Sequence, residues 1–240
     1  MSKKDYFEKA VNFAQYDKGE IDWSSYGKGD DPIRKYFKEI LCSEVKSLEG
    51  KVVLDVGSGS GAMFDLFLEL GAKEVQGIEP SVKNCIISRK LYPEISVFEG
   101  ALATASFKNV FDVAFAIMVF EHFSDINAAY RQIHSLLADN GQLFIIFQDM
   151  KYLLAPDFHY PIDCEDIGDG TLAVKISHSS GEIYDLLRLP EVYMKGAEES
   201  GFKVEKYLQM NPTKALLDAA PKYEHLKSRA IRHLLVLRKV

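Results

Sequence analysis

The chain has 240 residues, 47% of them apolar and 27% charged, enough for one substantial domain that needs no disulfide or metal to hold its core. Its net charge of −6, with lysines and arginines scattered among acids, argues against nucleic acid as the partner. The longest apolar run, residues 113–120, is too short to span a bilayer, no apolar stretch follows the first lysines as in a secretory leader, and Cys42, Cys85 and Cys164 lie far apart as reduced thiols do. A soluble cytoplasmic protein with no membrane partner is expected.

Residues 1–50 carry aromatics and charges at helical spacing in two pieces, 6–16 and 32–48, with Asp30 or Asp31 as N-cap before Pro32 in the first turn. A polar loop, 17–29, separates them and holds the only tryptophan, Trp23. From Lys51 onward, short apolar runs alternate with helical patterns. The runs predict strands over 52–56, 75–78, 95–98, 111–117 and 142–147, and helices over 62–70, 81–91 and 127–137, with Gly71 and Asn140-Gly141 as helix stops. Continuous apolar strands between amphipathic helices predict a parallel sheet covered on both faces. The alternation breaks at Gln148. Residues 148–190 hold aromatics, His159, an acidic stretch over 163–169, and a hairpin with arms over 172–177 and 182–189 turned through Ser179-Ser180-Gly181. So long a segment between sheet elements reads as a substrate-binding insertion. A helix over 191–200, a strand over 202–210, a helical piece near 213–220 and a strand over 232–238 complete the chain.

The run Val52-Val53-Leu54-Asp55-Val56-Gly57-Ser58-Gly59-Ser60-Gly61 is a buried strand passing into a glycine turn that opens a helix. Glycines there let the backbone approach a ligand closely. Gly57-x-Gly59-x-x-Ala62, with Glu79 downstream, also satisfies the dinucleotide pattern, which admits NAD or FAD and a nucleotide-dependent oxidoreductase. Asp55 argues otherwise: a carboxylate at the strand end is awkward beside a pyrophosphate but suits a ligand carrying an ammonium and a sulfonium. The segment Phe111-Asp112-Val113 followed by Glu121-His122, and the helix–strand–strand tail in place of another parallel unit, point the same way.

With these residues the chain resembles the class I S-adenosylmethionine-dependent methyltransferases, particularly those acting on small molecules. The resemblance covers about 51–147 and continues weakly through Glu191-Val192-Tyr193-Met194 to Ser200-Gly201-Phe202. It implies an α/β, Rossmann-like seven-stranded sheet of order 3-2-1-4-5-7-6 with strand seven antiparallel. It also implies an N-terminal helical lid over 1–50 and a methyltransferase domain over 51–240 with the insertion at 148–190. S-adenosyl-L-methionine is the implied cofactor. Asp55, Gly57, Ser58, Gly59 and Gly61 would hold its methionine part. Glu79 would receive the ribose hydroxyls, with Pro80 beside the adenosine. Ala101 and Leu102 would flank the adenine, and Ile117 and Met118 the methionine end. Ala101 stands where many relatives carry an Asp for the adenine amino group, which leaves that group to the backbone or a neighbour. Tyr16, Trp23 and Tyr26 would line the lid, where aromatic faces suit a sulfonium.

Methyl transfer from a sulfonium is an in-line displacement in which alignment alone supplies roughly 7–11 kcal/mol. An amine acceptor needs little base, whereas a hydroxyl needs more. No triad is visible. His122 and His159 are the catalytic candidates, with His178 behind them. The Glu121-His122 pair has an alternative role in capping its turn, and no metal site is expected. The expected function is transfer of a methyl group to an oxygen or nitrogen of a small molecule. The rivals are an NAD-type oxidoreductase and a methyltransferase-like binding protein without turnover.

Overall fold

Val52, Val53 and Val56 suit a strand buried on both faces, and they form β1 (Val52–Val56) near the centre of the sheet. The computed structural model describes residues 3–18, 31–155, 158, 160–178 and 181–240. On one side β1 pairs in parallel with β2 (Glu74–Glu79), which pairs with β3 (Ser96–Glu99). On the other it pairs with β4 (Phe111–Ile117), itself parallel to β5 (Leu137–Gln148). The last two strands of the chain, β9 (Phe202–Met210) and β10 (Arg232–Lys239), complete the sheet in the order β3-β2-β1-β4-β5-β10-β9. This is the expected 3-2-1-4-5-7-6 order, with β10 antiparallel to both its neighbours.

Side chains alternate across the sheet. Phe115, Phe144, Ile146 and Leu234 face a core shared with α3 (Pro32–Val45), α4 (Phe64–Glu69), α5 (Val82–Leu91) and α9 (Lys214–Ala219). Leu54, Ile145, Phe147 and Leu235 face a second core with α6 (Ile126–Leu136) and α8 (Pro190–Glu199). Asp31 is the N-cap of α3, its Oδ1 accepting from the Ile33 and Arg34 N–H groups at 2.8 and 3.0 Å. Helix α4 begins later than its pattern suggests, because the chain stays in a turn through Met63 after Gly61. Asn140-Gly141 is not a helix stop. Helix α6 already ends at Leu136, Leu137 pairs with Phe111, and Asn140 at φ +59° makes an irregularity inside β5 before Gln142 rejoins the ladder opposite Val113.

The expected single helix over 6–16 is two, α1 (Lys3–Ala10) and α2 (Ala14–Lys18). Asn12 divides them: its side-chain oxygen accepts from Ala14 N–H at 3.0 Å, an Asx turn that starts the second helix. The insertion opens with α7 (Met150–Leu153) and then makes three antiparallel strands, β6 (Ile162–Gly168), β7 (Thr171–His178) and β8 (Gly181–Arg188). Of these, β6 was legible only as an acidic stretch, since a half-exposed edge strand has no continuous apolar signal. One face of this small sheet, with Val174, Ile176 and Leu187, packs on the main body. The other, with Ala173, Tyr184 and Leu186, receives Tyr6 and Ala10 of α1. Among the described residues no helix is long and apolar enough to cross a membrane.

Candidate functional site

The strand order reverses between β1 and β4, so their carboxyl ends part and leave a crevice. A cavity of about 480 Å³ lies there, walled by the ends of β1, β2, β4 and β5, by α2 and α3, and by the inner face of the insertion sheet.

The glycine turn forms the floor. Gly57 and Gly59 both take left-handed φ, +70° and +56°. A Cβ on Gly57 would lie 2.5 Å from the Val119 side chain, whereas one on Gly59 would stand in open space at the cavity wall. Gly61 has a different job: its Cβ would strike the rings of Phe64 and Tyr92 at 2.8 and 2.9 Å, and it does not line the cavity. Ser58 and Pro80 do. Asp55, only 3% exposed, also lines the cavity, and burial, reinforced by the charge of Glu79, pushes its carboxyl up to about 8. Glu79 closes the turn from the neighbouring strand: its Oε2 accepts from Gly59 N–H and its Oε1 from Ser81 N–H, both at 2.8 Å. Burial raises its pKa, and these backbone hydrogen bonds offset only part of the rise.

Ile117 and Met118 line the cavity at the end of β4. Met118 holds φ +57°, a conformation costly for a side chain of this size, with its N–H on Ile146 O at 2.8 Å. Ala101 and Leu102 are not part of the wall. Leu102 opens a short 3-10 turn and is buried in the second core, so the turn after β3 gives its apolar side chain to packing.

The described part of the N-terminal segment packs beside the crevice. Asp17 accepts from Ser81 Oγ at 2.6 Å and from Lys83 N–H at 3.1 Å, which seats α2 on the start of α5. Tyr16 reaches the cavity and hydrogen-bonds His122 Nε2, while His122 Nδ1 lies 3.2 Å from Ala10 O. Because a carbonyl can only accept, Nδ1 carries the proton, Nε2 accepts from the Tyr16 hydroxyl, and the imidazole is neutral. Burial lowers its pKa, only partly opposed by Glu121. Both ring nitrogens are therefore engaged. His159, Trp23 and Tyr26 lie outside the described residues.

Glu121 lines the cavity beside His122, and four further lining groups, Arg34, Gln148, Asp185 and Arg232, were not singled out from the sequence. Arg188, buried on β8, donates to Phe120 O at 3.1 Å and Phe123 O at 2.6 Å, fixing the turn that carries Glu121 and His122. Arg232 faces Gln148 across the β10–β5 ladder. These groups converge only through strand register and a distant insertion, so no local spacing announces them. The one local signal is the alternation along β8, which puts Ile183, Asp185 and Leu187 on one face.

Residues 32–168 match a family described as a methyltransferase domain. The tRNA U34 carboxymethyltransferase of Ruthia magnifica subsp. Calyptogena magnifica is 30% identical over 139 residues, covering 54% of this chain and 41% of that protein. The ubiquinone biosynthesis O-methyltransferase of Rhodopseudomonas palustris (strain TIE-1) is 30% identical over 121 residues, covering 48% and 46%. The chain thus spans less than half the length of these curated relatives. A crystal structure of an S-adenosylmethionine-dependent methyltransferase from Mesorhizobium loti superimposes with a TM-score of 0.67 at 20% identity, covering 84% of this chain and 96% of that one. The family match runs through more than half of the chain and the sheet order agrees with it: the protein belongs to the methyltransferase domain family and has the fold of the class I S-adenosylmethionine-dependent methyltransferases.

Proposed function

We propose that the protein is an S-adenosyl-L-methionine-dependent methyltransferase that acts on an oxygen or nitrogen of a small molecule, in the cytoplasm. The observation that carries this reading is the pair of buried carboxylates, Asp55 and Glu79, on adjacent strands at either side of a glycine turn with open space above Gly59. A pyrophosphate would find two buried carboxyl groups there and no cation in the turn to balance its charge. A ligand with an ammonium and a ribose diol meets a partner for each, and Asp55, costly to ionise alone, gains a cation that favours its charged form. Bound at this site, S-adenosyl-L-methionine supplies a methyl group made electrophilic by its sulfonium.

The chain's own residues bind, align and exclude water. Asp55 and the turn through Gly57, Ser58 and Gly59 hold the methionine part, and Glu79 with Pro80 holds the ribose side. Ile117 and strained Met118 shape the floor where the reacting groups meet, and Tyr16 covers it. We assign His122 to positioning Tyr16, because both of its ring nitrogens are already hydrogen-bonded. The relatives named for O-methyl transfer and for tRNA modification support group transfer to different acceptors. The net charge of −6 and the carboxylates in the cavity favour a small molecule over tRNA here. Three free cysteines suit a reducing compartment.

Thermal unfolding with S-adenosylhomocysteine and with NADH tests the cofactor. Stabilisation by the first alone is expected. Stabilisation by NADH alone overturns the reading in favour of a dinucleotide-dependent oxidoreductase.

A further inference from the structure

Beyond the cofactor groups, the cavity has a second polar cluster at the end of β5 and β8. Glu121 is 1% exposed. Its Oε1 accepts from Gln148 N–H at 2.7 Å, and its Oε2, among the described residues, has no hydrogen-bond partner. Gln148, 6% exposed, likewise has an unpartnered Oε1. Asp185 approaches from the insertion, its Oδ1 3.8 Å from His122 Nδ1, beyond hydrogen-bond reach of an imidazole that is already neutral. All three side chains line the cavity. Of the neighbouring guanidinium groups, Arg188 holds the Phe120 and Phe123 carbonyls; Arg232, whose Nη1 donates to Ile231 O at 2.6 Å, keeps a buried Nε with no hydrogen-bond partner among the described residues.

We infer that the methyl acceptor is a primary or secondary amine carried on an apolar or aromatic body, and that Glu121, Gln148 and Asp185 receive its N–H groups. This rests on the methyltransferase reading and names its acceptor. A buried acceptor atom left without a donor costs as much as a lost hydrogen bond, so these atoms are built for a ligand that brings hydrogens. Three acceptor groups converge here. A hydroxyl brings one hydrogen, whereas an ammonium brings two or three and a positive charge. Two carboxyls in one apolar enclosure also repel each other. Burial, with Asp185 adding to it, raises Glu121, and burial holds Asp185 at about 7 although Arg232 opposes the rise. A cation between them offsets that repulsion. A carboxylate ligand would add to it. Tyr152, Phe158, Tyr160, Ile176 and Ile183 of this wall suit an apolar or aromatic body, beside the cationic side chains of Arg34, Lys222 and Arg232.

The chemistry balances without a strong base. The ammonium gives one proton to a carboxylate of the pair. The freed nitrogen lone pair then forms the N–C bond as the C–S bond breaks, its electron pair going to sulfur, which becomes a neutral thioether. The product leaves as an N-methylammonium ion, and the carboxyl returns its proton to solvent.

Matched fragments test this on the full chain saturated with S-adenosylhomocysteine. They are benzylamine, phenethylamine and 3-phenylpropylamine, their alcohol counterparts and their carboxylic acid counterparts, with binding measured by calorimetry. At least one amine should bind about ten-fold or more tightly than its alcohol, with the acids weakest. Glu121→Gln should shrink that preference to about two-fold while the S-adenosylhomocysteine affinity stays within about three-fold. Asp185→Asn, on a separate element, gives the same readout if the first variant does not fold. Preference for alcohols or acids, failure of every amine to bind, or an undiminished preference in a folded variant overturns the inference. Failure of S-adenosylhomocysteine itself to bind wild-type protein overturns instead the reading beneath it.

Discussion

Asp55 is the residue at which binding and stability are most clearly opposed, and Asp55→Asn separates them. An aspartate titrates near 4 in the unfolded chain but near 8 in the folded protein without ligand. Between those values the native state holds about one more proton than the unfolded state. Stability therefore falls as pH rises through this window, by about 1.4 kcal/mol per pH unit. From pH 5 to pH 7 Asp55 removes ~2.5 kcal/mol, an upper bound because part of its shift is repulsion shared with Glu79. Asparagine resembles the protonated acid and carries no such slope. His122, whose pKa is lowered by burial, contributes with the opposite sign, losing stability as pH falls below its unfolded value, but it does so in both proteins. Urea unfolding of the ligand-free proteins should thus find the variant up to ~1.5 kcal/mol more stable than wild type at pH 5 and up to ~4 kcal/mol more stable at pH 7. Calorimetry at pH 7 should show the variant losing about 30-fold or more in affinity for S-adenosylhomocysteine. Wild-type binding should release a proton, visible as an enthalpy that changes with buffer. A variant less stable than wild type at pH 7, or one that binds undiminished, would refute the reasoning.

Three further substitutions probe the frame around that carboxylate. Gly59→Val places a β-branched side chain at φ +56° and in the space above the turn; strain of ~1–2 kcal/mol should lower the melting temperature by a few degrees, while S-adenosylhomocysteine binding falls by about 100-fold, and retained affinity would show that the turn does not bear the ligand. Tyr16→Phe leaves His122 Nε2 buried without its donor; it should cost ~1–3 kcal/mol and raise the His122 pKa toward its ordinary value, read by NMR titration, with an unchanged titration speaking against the latch. Arg188→Met removes both bonds to the Phe120 and Phe123 carbonyls; unfolding should show a loss of ~2–4 kcal/mol, and a loss under about 0.5 kcal/mol would mean the Glu121 turn is held by other contacts.

The main sheet could be read from the chain because its signals are local. β1, β4 and the second half of β5 are apolar runs of strand length, and the glycine turn marks the crevice where the strand order reverses. The reading failed where a tertiary partner decides the outcome. Asn140-Gly141 looks like a helix stop, yet Leu137 is drawn into the ladder by Phe111, and the asparagine becomes an irregularity within a strand. The acidic run at 163–169 has no strand signal of its own; β7 supplies the ladder that orders it. Asn12 breaks the first helix with one side-chain hydrogen bond, a competition that periodicity does not register.

The two ends of the site differ in the same way. Asp55, Gly57, Gly59, Glu79, Ile117 and Met118 lie within three residues of strand ends, so spacing alone brings them together at the crevice. Glu121, Gln148, Asp185 and Arg232 come from four segments and meet only because β10 inserts beside β5 and the insertion sheet folds its Asp185 face inward. His122 shows what this costs a reading by motif. Its place after β4 suggested a base, but Ala10 and Tyr16 of the N-terminal segment occupy both ring nitrogens, and the group left with a free buried oxygen is the glutamate beside it. The part of the pocket that a cofactor shared by a whole family requires is thus written locally, at strand ends. The part that selects an acceptor depends on an insertion and on two antiparallel strands whose register no local spacing encodes.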